Sequence, residues 1–329
     1  MDEKNETCVT EFILEGHLSL LHYTTLIFTL LLTVYMMSLA GNSLIISIVK
    51  LDSRLHSPMY FFLCNLSILE IFYTSTTIPT ILAISLAKKK PLSVTSCLVQ
   101  IYFLHFLGVT ECLLLAVMAY DRYVAICRPL HYRTLMNGTV CLSLAISCWI
   151  SGALESLVLT AMTSRLPFCG PKTISNFFCD IPPLLKLACT DTHVNELVLS
   201  LAGGLVVLLP FLFILMTYVW IILTILKIRS AQGRQKAFST CASHLTVVCI
   251  FYGTVIFMYV RPSSIYSSDQ DKLVSLVYTV FTPMLNPLIY SLRNNEVKGA
   301  LKKVLASSLG SSMGLGQGVK TRPPYFSLV

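Results

Sequence analysis

Three acidic residues interrupt stretches that otherwise carry no charge: Glu70 within residues 55–87, Glu111 within 91–120 and Glu155 within 134–164. A fourth acid, Asp121, closes the second stretch and stands directly before Arg122. A charge in apolar surroundings is costly unless it is paired, protonated or neutralised by a cation. Glu70 and Glu111, if they face each other, therefore either share a proton or hold a Na+ ion between them. Glu155 either lines a pocket or reaches the interface. The Asp121-Arg122 pair is suited to an interfacial anchor or to an internal ion pair that can be broken. No His or Ser stands in a recognisable catalytic pattern with these acids, so no enzyme is expected. No Cys or His pairs have metal-ligand spacing, so no metal site other than the sodium site is expected.

The segments that carry these acids are long. Of 329 residues 55% are hydrophobic and 12% charged, against about a quarter charged in a soluble domain. Runs 16–49, 55–87, 91–120, 134–164, 197–226, 237–260 and 273–292 carry no full charge apart from those three glutamates. Each is long enough to cross a bilayer, which needs about 20 residues as a helix. The expected fold is an all-α membrane protein, a seven-transmembrane helix bundle. With the N-terminus outside, the inner segments hold 15 Lys and Arg and the outer segments nine, while ten acids fall outside and three inside. That is the asymmetry of the positive-inside rule. Lys88, Lys89 and Lys90 run against it, but acids precede the first span and Lys50 and Arg54 follow it. The net charge of +8 thus reflects topology, and no nucleic-acid partner is expected. The acidic N-terminus is not a cleavable signal peptide.

This orientation sorts the remaining signals. Asn5-Glu6-Thr7 is a glycosylation sequon on the outer tail, so Asn5 is the expected acceptor. Cys97 opens the third span from outside, and Cys169, Cys179 and Cys189 share the loop between spans four and five, in an oxidising compartment. Four cysteines allow three pairings, which spacing does not rank. The two halves lack the repeat expected of many transporters, and no filter or charged ring marks a channel. A receptor remains.

Motifs narrow that class. "MAYDRYVAICRPLHY" (118–132) resembles the Asp-Arg-Tyr signature, here Asp121-Arg122-Tyr123, of rhodopsin-like G-protein-coupled receptors. Gly41-Asn42, Trp149, Pro210, Tyr218 and "NPLIY" (286–290) stand where that superfamily has its landmarks. "HSPMYFFLCNLS" (56–67), "KAFSTCASHL" (236–245) and "PMLNPLIYSLRN" (283–294) resemble the odorant receptors in particular, over roughly residues 10 to 305. The resemblance implies that Asp121 holds Arg122 at rest and releases it to a G protein. It assigns Tyr218 and Tyr290 to support of the freed Arg122, with Asn286 and Pro287 in the same seventh-helix motif. Tyr252, within "FYG" (251–253), stands where most rhodopsin-like receptors have tryptophan, as odorant receptors commonly do. Glu70 replaces the family's usual Asp, with Asn42, Ser67 and Asn286 implied nearby. The resemblance further implies bonds Cys97–Cys179 and Cys169–Cys189 with Cys8 left over, an olfactory-type stimulatory G protein, and a rise in cyclic AMP.

On a helix with 100° per residue, Leu104, Gly108, Glu111 and Leu115 fall within about 40° of the Arg122 face. Leu104 and Gly108 stand roughly 20 to 27 Å above Arg122, the depth of an outer cavity. To these the resemblance adds His105, Val109 and Cys112, then Ala202 and Val206, Val255, Ile256 and Tyr259, and Thr279. A mostly apolar cavity suits small, volatile, weakly polar ligands, with His105 and Tyr259 the expected orienting contacts. The expected layout is an outer tail over 1–22, the bundle over 23–292, an amphipathic helix on the inner leaflet over 293–306, and a disordered tail over 307–329. Plasma-membrane residence, contact with lipid and an export chaperone complete the expected partners. A receptor for a non-odorant small ligand and a seven-helix transporter are the alternatives.

Overall fold

The computed structural model describes residues 9–15, 24–87, 89–169, 172–259, 276, 279–280, 282–293 and 297–303, with backbone alone at 236, 240, 257–259 and 290–293. Among them six helices are long and apolar enough to cross a membrane: α1 (Thr24–Leu51), α2 (Pro58–Ala87), α3 (Val94–Cys127), α5 (Gly138–Ser164), α7 (His193–Lys227) and α8 (Ala231–Tyr259). Short helices α4 (Tyr132–Leu135) and α6 (Ile181–Leu185) lie between them. The last apolar run is represented by α9 (Thr282–Arg293), and residues 297–303 form α10.

Local chemistry sets several of these ends. Ser93 caps α3 by accepting from Ser96 N at 3.1 Å, and Asn137 caps α5 by accepting from Val140 N at 3.0 Å. The outward faces are apolar: Leu26, Leu154, Leu201, Trp220 and Leu226 are more than half exposed. Such faces are stable only against lipid, where each helix satisfies its own backbone polar groups.

Polar and small residues fasten the helices to one another. Trp149 Nε1 on α5 donates to Asn65 Oδ1 on α2 at 3.1 Å. Asn42 Nδ2 on α1 donates to the Pro283 carbonyl on α9 at 3.3 Å. At Gly152 an added Cβ would lie 2.8 Å from the Phe106 carbonyl oxygen, so α5 reaches α3 only because it has none. Gly41 allows a similar approach, since a Cβ there would sit 3.0 Å from Pro287 Cγ.

One end of the bundle carries a small sheet. Strand β1 (Glu11–Leu14) is central, antiparallel to β2 (Lys90–Ser93) and parallel to β3 (Thr173–Ile174). Its burial alternates, with Phe12 and Leu14 inward, and Phe12 packs edge-on against Phe168 at 5.3 Å. The segment expected as an outer tail over 1–22 thus contains a strand that ties two later loops together. Lys89 pairs with Glu15 beside it.

Candidate functional site

At the end of α3 away from the sheet, Arg122 donates to Asp121 Oδ2 through Nη2 at 2.6 Å and Nε at 3.1 Å. Asp121 is fully buried. Its other oxygen accepts from the Tyr132 hydroxyl on α4 at 2.7 Å. Burial, with the Asp121 charge, holds that phenol above its usual range, so Tyr132 remains a donor. The carboxylate is therefore saturated on both sides. Tyr123 faces elsewhere and stacks on Tyr120.

Deeper along α3, His244, which ends the polar stretch 234–244 expected to face the G protein, is buried and joins three helices instead. His244 Nε2 on α8 lies 3.1 Å from the Leu115 carbonyl on α3, and a carbonyl only accepts, so Nε2 carries the proton. Nδ1 is then an acceptor, and Tyr218 on α7 donates its hydroxyl to it at 2.7 Å. The two rings also stack at 17°. Tyr218, assigned by resemblance to the freed Arg122, is thus engaged with His244 in this arrangement. The sequence signal for His244 is its place in "KAFSTCASHL", where the polar start of the helix gives way to an apolar run. Tyr252, further along α8, donates to the Cys112 carbonyl at 3.4 Å and packs on Phe211 at 5.0 Å. The side chain of Tyr290 lies outside the described residues.

Beside the Tyr252–Cys112 contact sit the two buried acids. Asn286 Nδ2 donates to Glu70 Oε1, and the Glu111 carboxyl lies against that of Glu70. Glu70 Oε2 and Glu111 Oε1 are buried without a protein partner. Asn42 and Ser67 are buried as well. Asn42 spends its amide hydrogens on the Ser38 and Pro283 carbonyls. Two facing carboxyls with unpaired oxygens fit either a shared proton or a small cation. Among the described residues no group of three or more His, Cys, Asp or Glu could hold a metal, so a cation here would rely on neutral oxygens besides the two acids.

At the sheet end, Cys97 of α3 is bonded to Cys179, and Cys169 to Cys189. Gln100 clasps this loop: its Oε1 accepts from Cys179 N at 2.9 Å and its Nε2 donates to the Thr76 carbonyl at 3.0 Å. The next residue, Asp180, caps α6 at Ile181 N and faces His105 across 4.0 Å. Burial raises the Asp180 carboxyl above its ordinary range, against opposing effects of His105 and the Ile181 N–H.

Of the expected ligand contacts, Leu104, Val109, Cys112, Val255 and Thr279 are buried. His105, Gly108, Ala202, Val206 and Ile256 are half-buried, while the Tyr259 side chain, like Asn5 and Cys8, lies outside the described residues. The α3 and α8 sets meet where Tyr252 reaches Cys112. Two clefts are lined by other residues: one of about 290 Å³ between α3, α5 and Phe213, and one of about 110 Å³ between α1, α9 and α10.

Comparison with known proteins bears on the whole assembly. A family model for olfactory receptors matches residues 31–308. Human olfactory receptor 6N1 is 53% identical over 305 residues, 93% of this chain and 98% of its own length. Mouse olfactory receptor 5AR1 is 48% identical over 305 residues, with the same two shares. The dog olfactory receptor-like protein OLF3 is 49% identical over 310 residues, 94% of this chain and 98% of its own.

Proposed function

This chain belongs to the olfactory receptor family and is an odorant receptor, a multi-pass seven-helix protein and not an enzyme, and from that premise we propose how it works. Small volatile molecules bind between the helix halves nearest the disulfides, against Leu104, His105, Gly108, Val109, Cys112, Ala202, Val206, Val255, Ile256, Tyr259 and Thr279. The disulfide end faces the outside of the plasma membrane, with Asn5 glycosylated. Two disulfides suit an oxidising compartment, and the excess of Lys and Arg on the opposite segments supports this orientation.

The observation that carries the signalling reading is the saturated Asp121–Arg122–Tyr132 cluster beside the His244–Tyr218 pair. An odorant that binds better to an arrangement with α8 swung outward shifts the population toward it by that difference in affinity, and by no more. Arg122 is then free for the G protein, supported by Tyr218 and Tyr290, while Tyr252, Asn286 and Pro287 repack. The partner is a stimulatory heterotrimeric G protein, and cyclic AMP rises. Glu70 and Glu111, with Asn42, Ser67 and Asn286, hold a Na+ ion or a shared proton in the resting arrangement. Buried Val297 and Ala300 with exposed Lys298, Lys302 and Lys303 suit α10 to the inner leaflet. A chaperone assists export.

The test compares cyclic AMP in cells expressing the wild type or Arg122→Ala at matched surface level, over a panel of volatile compounds. A wild-type response that disappears in the variant is expected. One that survives contradicts the role of Arg122.

A further inference from the structure

The contact between His105 and Asp180 leaves room for a bridging donor. His105 Nδ1 lies 3.2 Å from the Ile101 carbonyl on its own helix, and a carbonyl only accepts, so Nδ1 carries the proton. In the neutral imidazole Nε2 is then a bare acceptor. It points toward Asp180 Oδ1, also an acceptor, at 4.0 Å. Two acceptors at that separation share no hydrogen bond. Even a protonated Nε2 would be too far to donate well. Among the described residues Asp180 forms no ion pair with Lys or Arg, and the one hydrogen bond shown for its side chain is accepted from the neighbouring Ile181 N–H at 2.8 Å.

A donor that bridges both atoms closes this gap. With legs of about 2.9 Å on the 4.0 Å base, the apex angle is roughly 90°, within reach of two N–H bonds of a tetrahedral ammonium. A hydroxyl has one proton and can serve only one of the two acceptors. A carboxylate brings none and meets a second acid: Glu155 on α5 acts electrostatically on the same imidazole, and its Oε2 is buried without a partner. The neighbours Leu104 and Val109 are apolar and buried, a wall for an alkyl chain.

We propose that His105 and Asp180 form the polar anchor of the odorant cavity and tune this receptor to small volatile amines. The inference rests on the odorant-receptor reading above, so its test reads binding apart from signalling. The full-length receptor in membranes is heated with hexylamine or with hexan-1-ol, and the apparent Tm is measured for the wild type, Asp180→Asn and Glu155→Gln. Asparagine keeps an oxygen for the Ile181 cap, so the unliganded Tm of Asp180→Asn should stay near that of the wild type.

Hexylamine should raise the wild-type Tm at lower concentration than hexan-1-ol. Asp180→Asn should weaken the amine roughly tenfold to a hundredfold, the usual consequence of removing a charged hydrogen-bond partner, with little change for the alcohol. Glu155→Gln should produce a smaller loss of the same sign. Equal amine stabilisation of wild type and Asp180→Asn overturns the proposal, and so does absence of any amine effect on the wild type. Amine binding without a cyclic AMP response would leave the anchor standing and count against the signalling reading instead.

Discussion

At the sheet end, three paired strands join the N-terminal segment to the loops around β2 and β3, and two disulfides tie the second of those loops to α3 and to itself. At the Arg122 end, the ion pair of Asp121 and Arg122 and hydrogen bonds from Tyr132, Tyr218 and His244 do the fastening. The first set needs bond cleavage or strand separation to open. The second can be exchanged for other partners at about 1 kcal/mol per neutral hydrogen bond. A receptor needs this division: a cavity that keeps its shape while a ligand is selected, and an opposite end balanced between two arrangements that the ligand can bias.

The contrast can be broken from either side. The largest effect is expected from Cys97→Ser, which releases a bond between residues 82 apart in sequence; about 2–5 kcal/mol of stability should go with it, seen as collapse of surface expression. Phe12→Ala should cost about 3 kcal/mol by emptying a buried aromatic site, lowering the Tm without raising basal cyclic AMP per receptor at the surface. His244→Phe keeps a ring but removes the hydrogen bonds that His244 makes with the Leu115 carbonyl and the Tyr218 hydroxyl. Roughly tenfold higher basal cyclic AMP is expected, from about 1–2 kcal/mol lost by the resting arrangement. Tyr132→Phe removes one donor to Asp121, and a rise in basal signal of roughly twofold to fivefold should follow. If His244→Phe lowered stability as Phe12→Ala does and left basal signal unchanged, the two ends would not differ in kind.

Sequence made some of this legible and hid the rest for identifiable reasons. The charge-free runs displayed the spans because lipid demands them, and the adjacency of Asp121 and Arg122 displayed the ion pair. The Glu70–Glu111 pair was legible as two acids in otherwise charge-free runs, while Asn286 joined it only through family resemblance, since it is 216 residues from Glu70. His244 and Tyr132 stayed hidden because their partners are set by how α8 and α4 pack on α3. Strand β1 left little trace in Glu11-Phe12-Ile13-Leu14, where three consecutive apolar residues hide the alternating burial that the structure shows, and four residues beside a long apolar run read as tail. Asp180 was invisible as a site residue because the chain between Cys169 and Cys189 has no periodicity that would direct it toward His105.

The most direct test is hydrogen exchange on the full-length receptor, with and without an activating odorant. Amides of residues 11–14, 90, 92 and 93 should exchange at the same rate in both conditions, while those from the end of α7 through His244 should exchange faster when the odorant is bound. Faster exchange in the strands with no change between α7 and His244 would contradict a fixed sensing end coupled to a switchable one.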